Sequence, residues 1–159
     1  MSPHLIGDDN TYPSMKWIRN YMGVAEQVSS WSKDPSTKCG AVAVGKFGQI
    51  ISQGYNGFPR GVDDRPDRYA DKETKYKYVV HAELNCIYNA ALNGTSMNGS
   101  MLYVYGLPVC NECAKGIVQI GVSKVFMKYP TDISDKWKNA FSHTKDMFDE
   151  SGIDYFIVP

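Results

Sequence analysis

Two short segments far apart in the chain set the tightest constraint on its fold: His81-Ala82-Glu83 and Pro108-Val109-Cys110-Asn111-Glu112-Cys113. One imidazole and two thiols make a three-ligand set for a tetrahedral ion such as Zn2+. The coordination position left open is what separates a catalytic zinc site from a closed structural one. Any fold that serves this set must bring both segments to one point. Cys110 and Cys113 lie three residues apart, so on a helix they share a face, and at its start free N–H groups and the dipole stabilise a thiolate. His81 and Glu83, two apart at the opening of a helix, point in different directions. His81 can then hold the metal while Glu83 faces a water beside it. The ion acidifies that water, and the carboxylate can take its proton and pass it on.

A Cys-x-x-Cys pair alone is also half of a structural zinc ribbon, which needs a second pair or two histidines. Cys39, Cys86, His4 and His143 are scattered and offer no such spacing. Glu83 taken alone could be a helix N-terminal carboxylate stabilised by the dipole, with no chemical task.

The 159 residues, 43% of them hydrophobic, suit one domain spanning 1–159, with an adequate core and no need of disulfides. Lys plus Arg equals Asp plus Glu at 17 each, so no net field draws the chain toward a phosphate polymer or an anionic membrane. A small substrate fits that balance better than nucleic acid. The first ten residues carry Asp8 and Asp9 without an apolar core, and no later run has the length of a membrane span. A cytoplasmic protein is expected. Cys39 and Cys86 read as small buried hydrophobes in a reducing compartment.

Apolar residues at three- and four-residue steps from Ser14 to Trp31 predict an amphipathic helix. Cys39–Val44 and Gln49–Gln53, joined by Gly45-Lys46-Phe47-Gly48, predict a β-hairpin. Gly54 to about Tyr78 reads as a long binding loop rich in Gly, Pro and mixed charge. A helix over Val79–Leu92 follows, then strands at Met101–Tyr105, Lys124–Met127 and Tyr155–Val158, with helices over Asn111–Ile120 and Trp137–Ser151 between them. This order predicts an α/β fold: a three-layer α/β/α arrangement with a five-stranded mixed sheet flanked by helices.

Within the long loop, Gly54-Tyr55-Asn56-Gly57-Phe58-Pro59-Arg60-Gly61 supplies flexible backbone, an amide that donates and accepts, and a cation. Such a stretch can hold a sugar and a phosphate, or be an ordinary surface turn after a strand.

H-x-E followed by P-C-x-x-C is the signature of zinc-dependent nucleobase deaminases. With Ser32-Lys33-Asp34-Pro35-Ser36-Thr37, Gly54–Gly61, Thr74-Lys75-Tyr76, Tyr78–Ile87 and Cys110–Lys115, the chain closely resembles the deoxycytidylate deaminase family over roughly residues 14 to 158. The resemblance implies a cytidine deaminase-like fold and hydrolysis of dCMP to dUMP and ammonia, which feeds dTMP synthesis. It also implies a homohexamer activated by dCTP and inhibited by dTTP, with Mg2+ accompanying the triphosphate.

Position by position, the resemblance makes His81, Cys110 and Cys113 the ligands of one Zn2+ per subunit and Glu83 the proton shuttle. Asn56 matches an asparagine that hydrogen-bonds the sugar or base, and the Ala82 N–H matches a contact to the pyrimidine carbonyl. Tyr129 is a candidate wall of the nucleotide pocket or, equally, a core aromatic. Lys33 and Arg60 are candidate phosphate partners, against the alternative of solvated surface charge. Gly57, Phe58, Arg60 and Gly61, with the charged run from Asp63 to Lys77, are candidates for an allosteric nucleotide site or a subunit contact. The chain departs from the family pattern in two ways. Val109 separates Pro108 from the first cysteine, which predicts a turn one residue longer, and Gly61–Val80 contains no Cys or His for a second, structural zinc.

Two rivals remain open. A deaminase of cytosine or adenine in nucleic acid would be expected to carry excess Lys and Arg along a groove. A non-enzymatic nucleotide-sensing module would keep the zinc for stability and would have no use for Glu83. Free cytidine or deoxycytidine as substrate differs only in phosphate recognition.

Overall fold

The alternating helices and strands resolve into one five-stranded mixed sheet covered on both faces. The computed structural model describes residues 12–159, and the acidic N-terminal stretch and His4 lie outside the described residues. The elements are α1 (Met15–Ser29), β1 (Gly40–Val44), β2 (Ile50–Tyr55), α2 (Pro66–Ala70), α3 (Lys72–Tyr78), α4 (Ala82–Leu92), β3 (Met101–Tyr105), α5 (Asn111–Gln119), β4 (Lys124–Lys128), α6 (Asp135–Ser151) and β5 (Asp154–Ile157). Strand order is β2-β1-β3-β4-β5. β1 pairs antiparallel with both β2 and β3, while β3, β4 and β5 run parallel.

Parallel neighbours require crossovers, and α5 and α6 supply them. β1, Gly-Ala-Val-Ala-Val, is buried at every position, as a strand covered on both faces should be. The two-residue period of the strands then divides the core. Val42, Val44, Tyr103, Phe126 and Phe156 pack under Ile18, Met22, Ala25 and Val28 of α1. Ala41, Ala43, Leu102, Val104, Val125 and Met127 belong to the core of the opposite face, with α4, α5 and α6. Tyr103 stacks on Phe126 at 4.8 Å and Phe126 on Phe156 at 5.2 Å. Each such buried aromatic contributes about 1.5–3 kcal/mol through burial.

Two glycines let the helices sit this close. A Cβ at Gly40 would fall 2.1 Å from the Ala25 carbonyl oxygen of α1, and one at Gly54 would fall 2.3 Å from the Cys86 backbone nitrogen of α4. Gly54 therefore fixes how near α4 approaches the hairpin.

The expected sheet and the long helices are present, with shifted ends. Ser14 caps α1 through the Trp17 N–H, but Trp17 and Trp31, placed on the apolar stripe by periodicity, are half exposed. α4 starts at Ala82 rather than Val79, because Val80 pairs with Gly57 in a short β-bridge. The expected long loop is a correction: it contains α2 and α3. Pro66 at the first turn of α2 and Asp71, which accepts from the Thr74 N–H at the start of α3, are the local signals for those helices. Cys39 and Cys86 are buried and unpaired. Among the described residues no helix is long and apolar enough to cross a membrane.

Candidate active site

His81 and Cys110 occupy equivalent places, each the N-cap of a helix on the same face of the sheet, α4 and α5 respectively. Cys113, one turn into α5, is fully buried, and its N–H points at the Cys110 sulfur at 3.5 Å. The His81 Nδ1 lies 3.4 Å from the sulfurs of both Cys110 and Cys113, and the three donor atoms all fall within 4.8 Å of one another. For tetrahedral zinc with Zn–N near 2.0 Å and Zn–S near 2.3 Å, the nitrogen-to-sulfur edge is about 3.6 Å. The donor set fits such an ion in both chemistry and spacing.

The three groups also compete for protons. Hydrogen bonding from the Cys113 thiol, with the His81 charge, outweighs burial and holds Cys110 well below the ordinary thiol range. Cys113 is raised in turn, by that same sharing and by burial. His81 is raised above its ordinary value, chiefly by its hydrogen bond with Cys110, with burial opposing. A divalent cation would take the place of these shared protons.

Glu83 points inward from the first turn of α4 and is 5% exposed. Burial pushes its carboxyl up to about 7, opposed by the nearby His81 charge. Ala82, the first residue of α4, has an N–H with no acceptor inside the helix.

His81, Ala82 and Glu83 form the floor of a cavity of about 270 Å3. Asn56, Cys39, Leu107 and Pro108 line one side. Lys72, Lys75 and Tyr76 of α3 and Ser134, Lys136 and Trp137 at the start of α6 form the mouth. Trp137 lies 6.0 Å from the His81 ring, and the Lys136 ammonium sits 3.8 Å from the centre of the Tyr76 ring, joining the two sides. None of these mouth residues had an individual role on sequence grounds, because only the tertiary structure brings α3 and α6 together.

The other candidates go elsewhere. Lys33 pairs with Asp64 at 2.9 Å and does not line the cavity. Arg60 donates to Asn89 of α4, and neither residue lines the cavity. Tyr129 packs against Phe141 in the core that α6 covers. Gly57 is held in the bridge to Val80, and Phe58 stacks on Tyr69 at 4.1 Å, so with Gly61 this stretch anchors the segment that carries α2 and α3. Val109 is fully buried and its carbonyl accepts from the Thr144 hydroxyl of α6 at 2.9 Å. Val109 is thus pinned directly before Cys110, the N-cap of α5.

Residues 15–129 match the family model for the cytidine and deoxycytidylate deaminase zinc-binding region. An uncharacterised deaminase from the luxG 3' region of Aliivibrio fischeri is 39% identical over 145 residues, covering 91% of this chain and 95% of that protein. Human deoxycytidylate deaminase is 36% identical over 148 residues, covering 89% of this chain and 79% of its own length. Among solved structures, the dCMP deaminase of cyanophage S-TIM5 in complex with dCMP and dUMP superposes with a TM-score of 0.69 at 28% identity. That match covers 88% of this chain and 95% of the phage chain. The sheet, the two N-capping ligand residues and these matches agree: the chain belongs to the cytidine and deoxycytidylate deaminase family.

Proposed function

We propose that this protein hydrolyses dCMP to dUMP and ammonia. The observation that carries the reading is a buried Glu83 on the floor of a cavity, beside one imidazole and two thiols that fit a zinc ion. A zinc site kept for stability has no use for a carboxyl group so placed. Lys72 and Lys136 at the mouth support a phosphorylated substrate, since a monophosphate seeks charge-assisted donors. The relatives named deoxycytidylate deaminase, and the phage structure with dCMP and dUMP, support the same choice.

His81, Cys110 and Cys113 would hold Zn2+, which supplies the Lewis acidity that makes water a nucleophile near neutral pH. Glu83 takes the first proton of the attacking water and delivers it to the ring nitrogen beside C4 as the oxygen bonds to C4. It then takes the remaining hydroxyl proton and delivers it to the exocyclic amine. The C4–N bond breaks, ammonia leaves, C4 keeps the oxygen as a carbonyl and Glu83 is again a carboxylate. Burial raises the Glu83 carboxyl and a nearby cation opposes that rise, so the group can both take up and give back a proton. In this reading the Ala82 N–H donates to the pyrimidine carbonyl and Asn56 meets the sugar.

The reading is tested by measuring ammonia release by the zinc-loaded protein from dCMP, deoxycytidine and a cytosine-containing oligonucleotide in parallel. Preferred turnover of dCMP is expected, and turnover of the oligonucleotide alone overturns the reading. The family resemblance extends the proposal to activation by dCTP, inhibition by dTTP, a hexamer and a cytoplasmic site of action. A flat response of steady-state turnover to both triphosphates with Mg2+ removes the regulatory part.

A further inference from the structure

Asp34 is 1% exposed and collects five hydrogen-bond donors. The Lys75 ammonium approaches one of its oxygens at 2.6 Å, and the Lys75 side chain is itself only 12% exposed. The Ser36 N–H at 2.9 Å, the Thr37 N–H at 3.2 Å and the Ser36 hydroxyl at 3.0 Å reach the other oxygen. The fifth donor is the Asn56 side-chain nitrogen, at 3.4 Å. One carboxylate, itself among the residues that line the cavity, thus binds the turn before β1, the wall helix α3 and Asn56, which lines it too.

The amide of Asn56 can be accounted for group by group. A carboxamide has two N–H donors and two acceptor lone pairs. One N–H goes to the Thr37 carbonyl at 2.9 Å and the other to Asp34. The oxygen accepts from the Cys39 N–H at 2.8 Å. A flipped amide would set its NH2 against the Cys39 N–H and its oxygen against the Thr37 carbonyl and the Asp34 carboxylate. What remains for a ligand is one lone pair on the Asn56 oxygen.

We propose that Asp34 is a positioning residue that, with Lys75, locks Asn56 as a pure acceptor in the cavity and so makes the site select a ligand with a hydroxyl donor. The identity of that ligand rests on the deaminase reading. dCMP has a single free sugar hydroxyl, at the 3' carbon, and 2',3'-dideoxycytidine monophosphate lacks it. A site built to hydrogen-bond a hydroxyl discriminates strongly against the analogue without it, because its own polar group is left unpaired.

The test compares kcat/KM for dCMP and its 2',3'-dideoxy analogue in the zinc-loaded wild type and in Asp34→Asn. The wild type is expected to prefer dCMP by about tenfold or more, the equivalent of one good hydrogen bond. Asp34→Asn should lower that preference severalfold at equal zinc content. An equal loss on both substrates would make Asp34 merely structural and overturn the proposal, as would a wild type that does not discriminate. A second readout needs neither the variant nor turnover: hydrogen exchange of the Asn56 side-chain amide, followed by NMR in the wild type. Both Asn56 amide hydrogens should exchange more slowly than those of exposed asparagines, and free exchange overturns the lock. A locked amide in a protein that does not deaminate dCMP would instead sink the deaminase reading and leave the positioning role standing.

Discussion

His81 and Cys110 each stand one residue before a helix that is packed on the sheet, so the backbones of α4 and α5 decide where the ligand atoms go. Across the same cavity, Lys72, Lys75 and Tyr76 ride on α3, seven residues long with none buried. That wall is kept in place by separate contacts, among them the Asp34–Lys75 pair, the Lys136–Tyr76 contact, the Asp71 cap and, at the base of the segment, the Phe58–Tyr69 stack and the Gly57–Val80 bridge. A floor inherited from core packing suits chemistry, which tolerates little displacement. A wall held by individual polar contacts suits binding, where each contact can tune affinity.

The contrast fails first, if it fails, at Glu83. Glu83→Gln keeps the shape of the floor and removes the carboxyl group proposed to carry the proton, so turnover should fall by about 10²- to 10⁴-fold while zinc content, read by metal analysis, stays at the wild-type level. Cys113→Ala should lose the zinc itself. Unchanged turnover in Glu83→Gln would mean that the floor is structural. A smaller effect comes from moving the floor without touching a ligand. Gly54→Ala places a methyl group within 2.3 Å of the Cys86 backbone nitrogen, so α4 must shift. The expected cost is about 1–3 kcal/mol, visible as a Tm lowered by several degrees, with reduced activity because His81 and Glu83 move with the helix. An unaltered Tm would show that α4 is not held by this close approach.

At the mouth, charge rather than shape is under test. The combined Lys72→Ala and Lys136→Ala substitutions should lower the ratio of kcat/KM for dCMP over deoxycytidine by about tenfold, the scale of one charge-assisted contact. Lys33→Ala supplies the comparison, since its ammonium is occupied by Asp64 outside the cavity. A larger fall in that ratio for Lys33→Ala would reverse the assignment of the phosphate end.

What could be read from sequence divides along the same line. The candidate ligand set was legible because its chemistry depends on residue type and short spacing, and the sheet because its strands are apolar runs bounded by turns. α2 and α3 were not, because neither has an apolar stripe: Tyr69 alone is buried in α2 and nothing is in α3. Their capping residues, Pro66 and Asp71, were the available signals and were submerged in mixed charge. Lys33 and Arg60 looked suited to a phosphate by type and neighbourhood. Their actual partners, Asp64 and Asn89, are set by how the segment folds back over α4. Asp34 belongs to the Ser32–Thr37 stretch that carries the family resemblance, with no individual role legible there. Its role as a hub follows from contacts with residues as far along the chain as Lys75, which no local pattern encodes.

The smallest expected effect is a slope, and it isolates the wall from the floor. Burial alone would raise the Asp34 carboxyl, but Lys75 and the donors of Ser36 and Thr37 outweigh it and hold the group below its ordinary value of 3.8. A carboxylate depressed in the folded state contributes stability that is fully present above its unfolded value and is lost as pH falls through the lower folded one. The Asp34 contribution should therefore survive through the mildly acidic range and disappear only below 3.8. Asp34→Asn removes the titrating group, so its unfolding free energy, measured in urea from about pH 6 down to about pH 2, should start lower and decline less steeply in that last interval. Zinc release at acid pH would steepen both proteins alike, because protons compete for His81, Cys110 and Cys113 in each. The difference between the two curves thus reports the wall alone, and parallel curves would mean that the buried pair with Lys75 is not what holds α3 against the cavity.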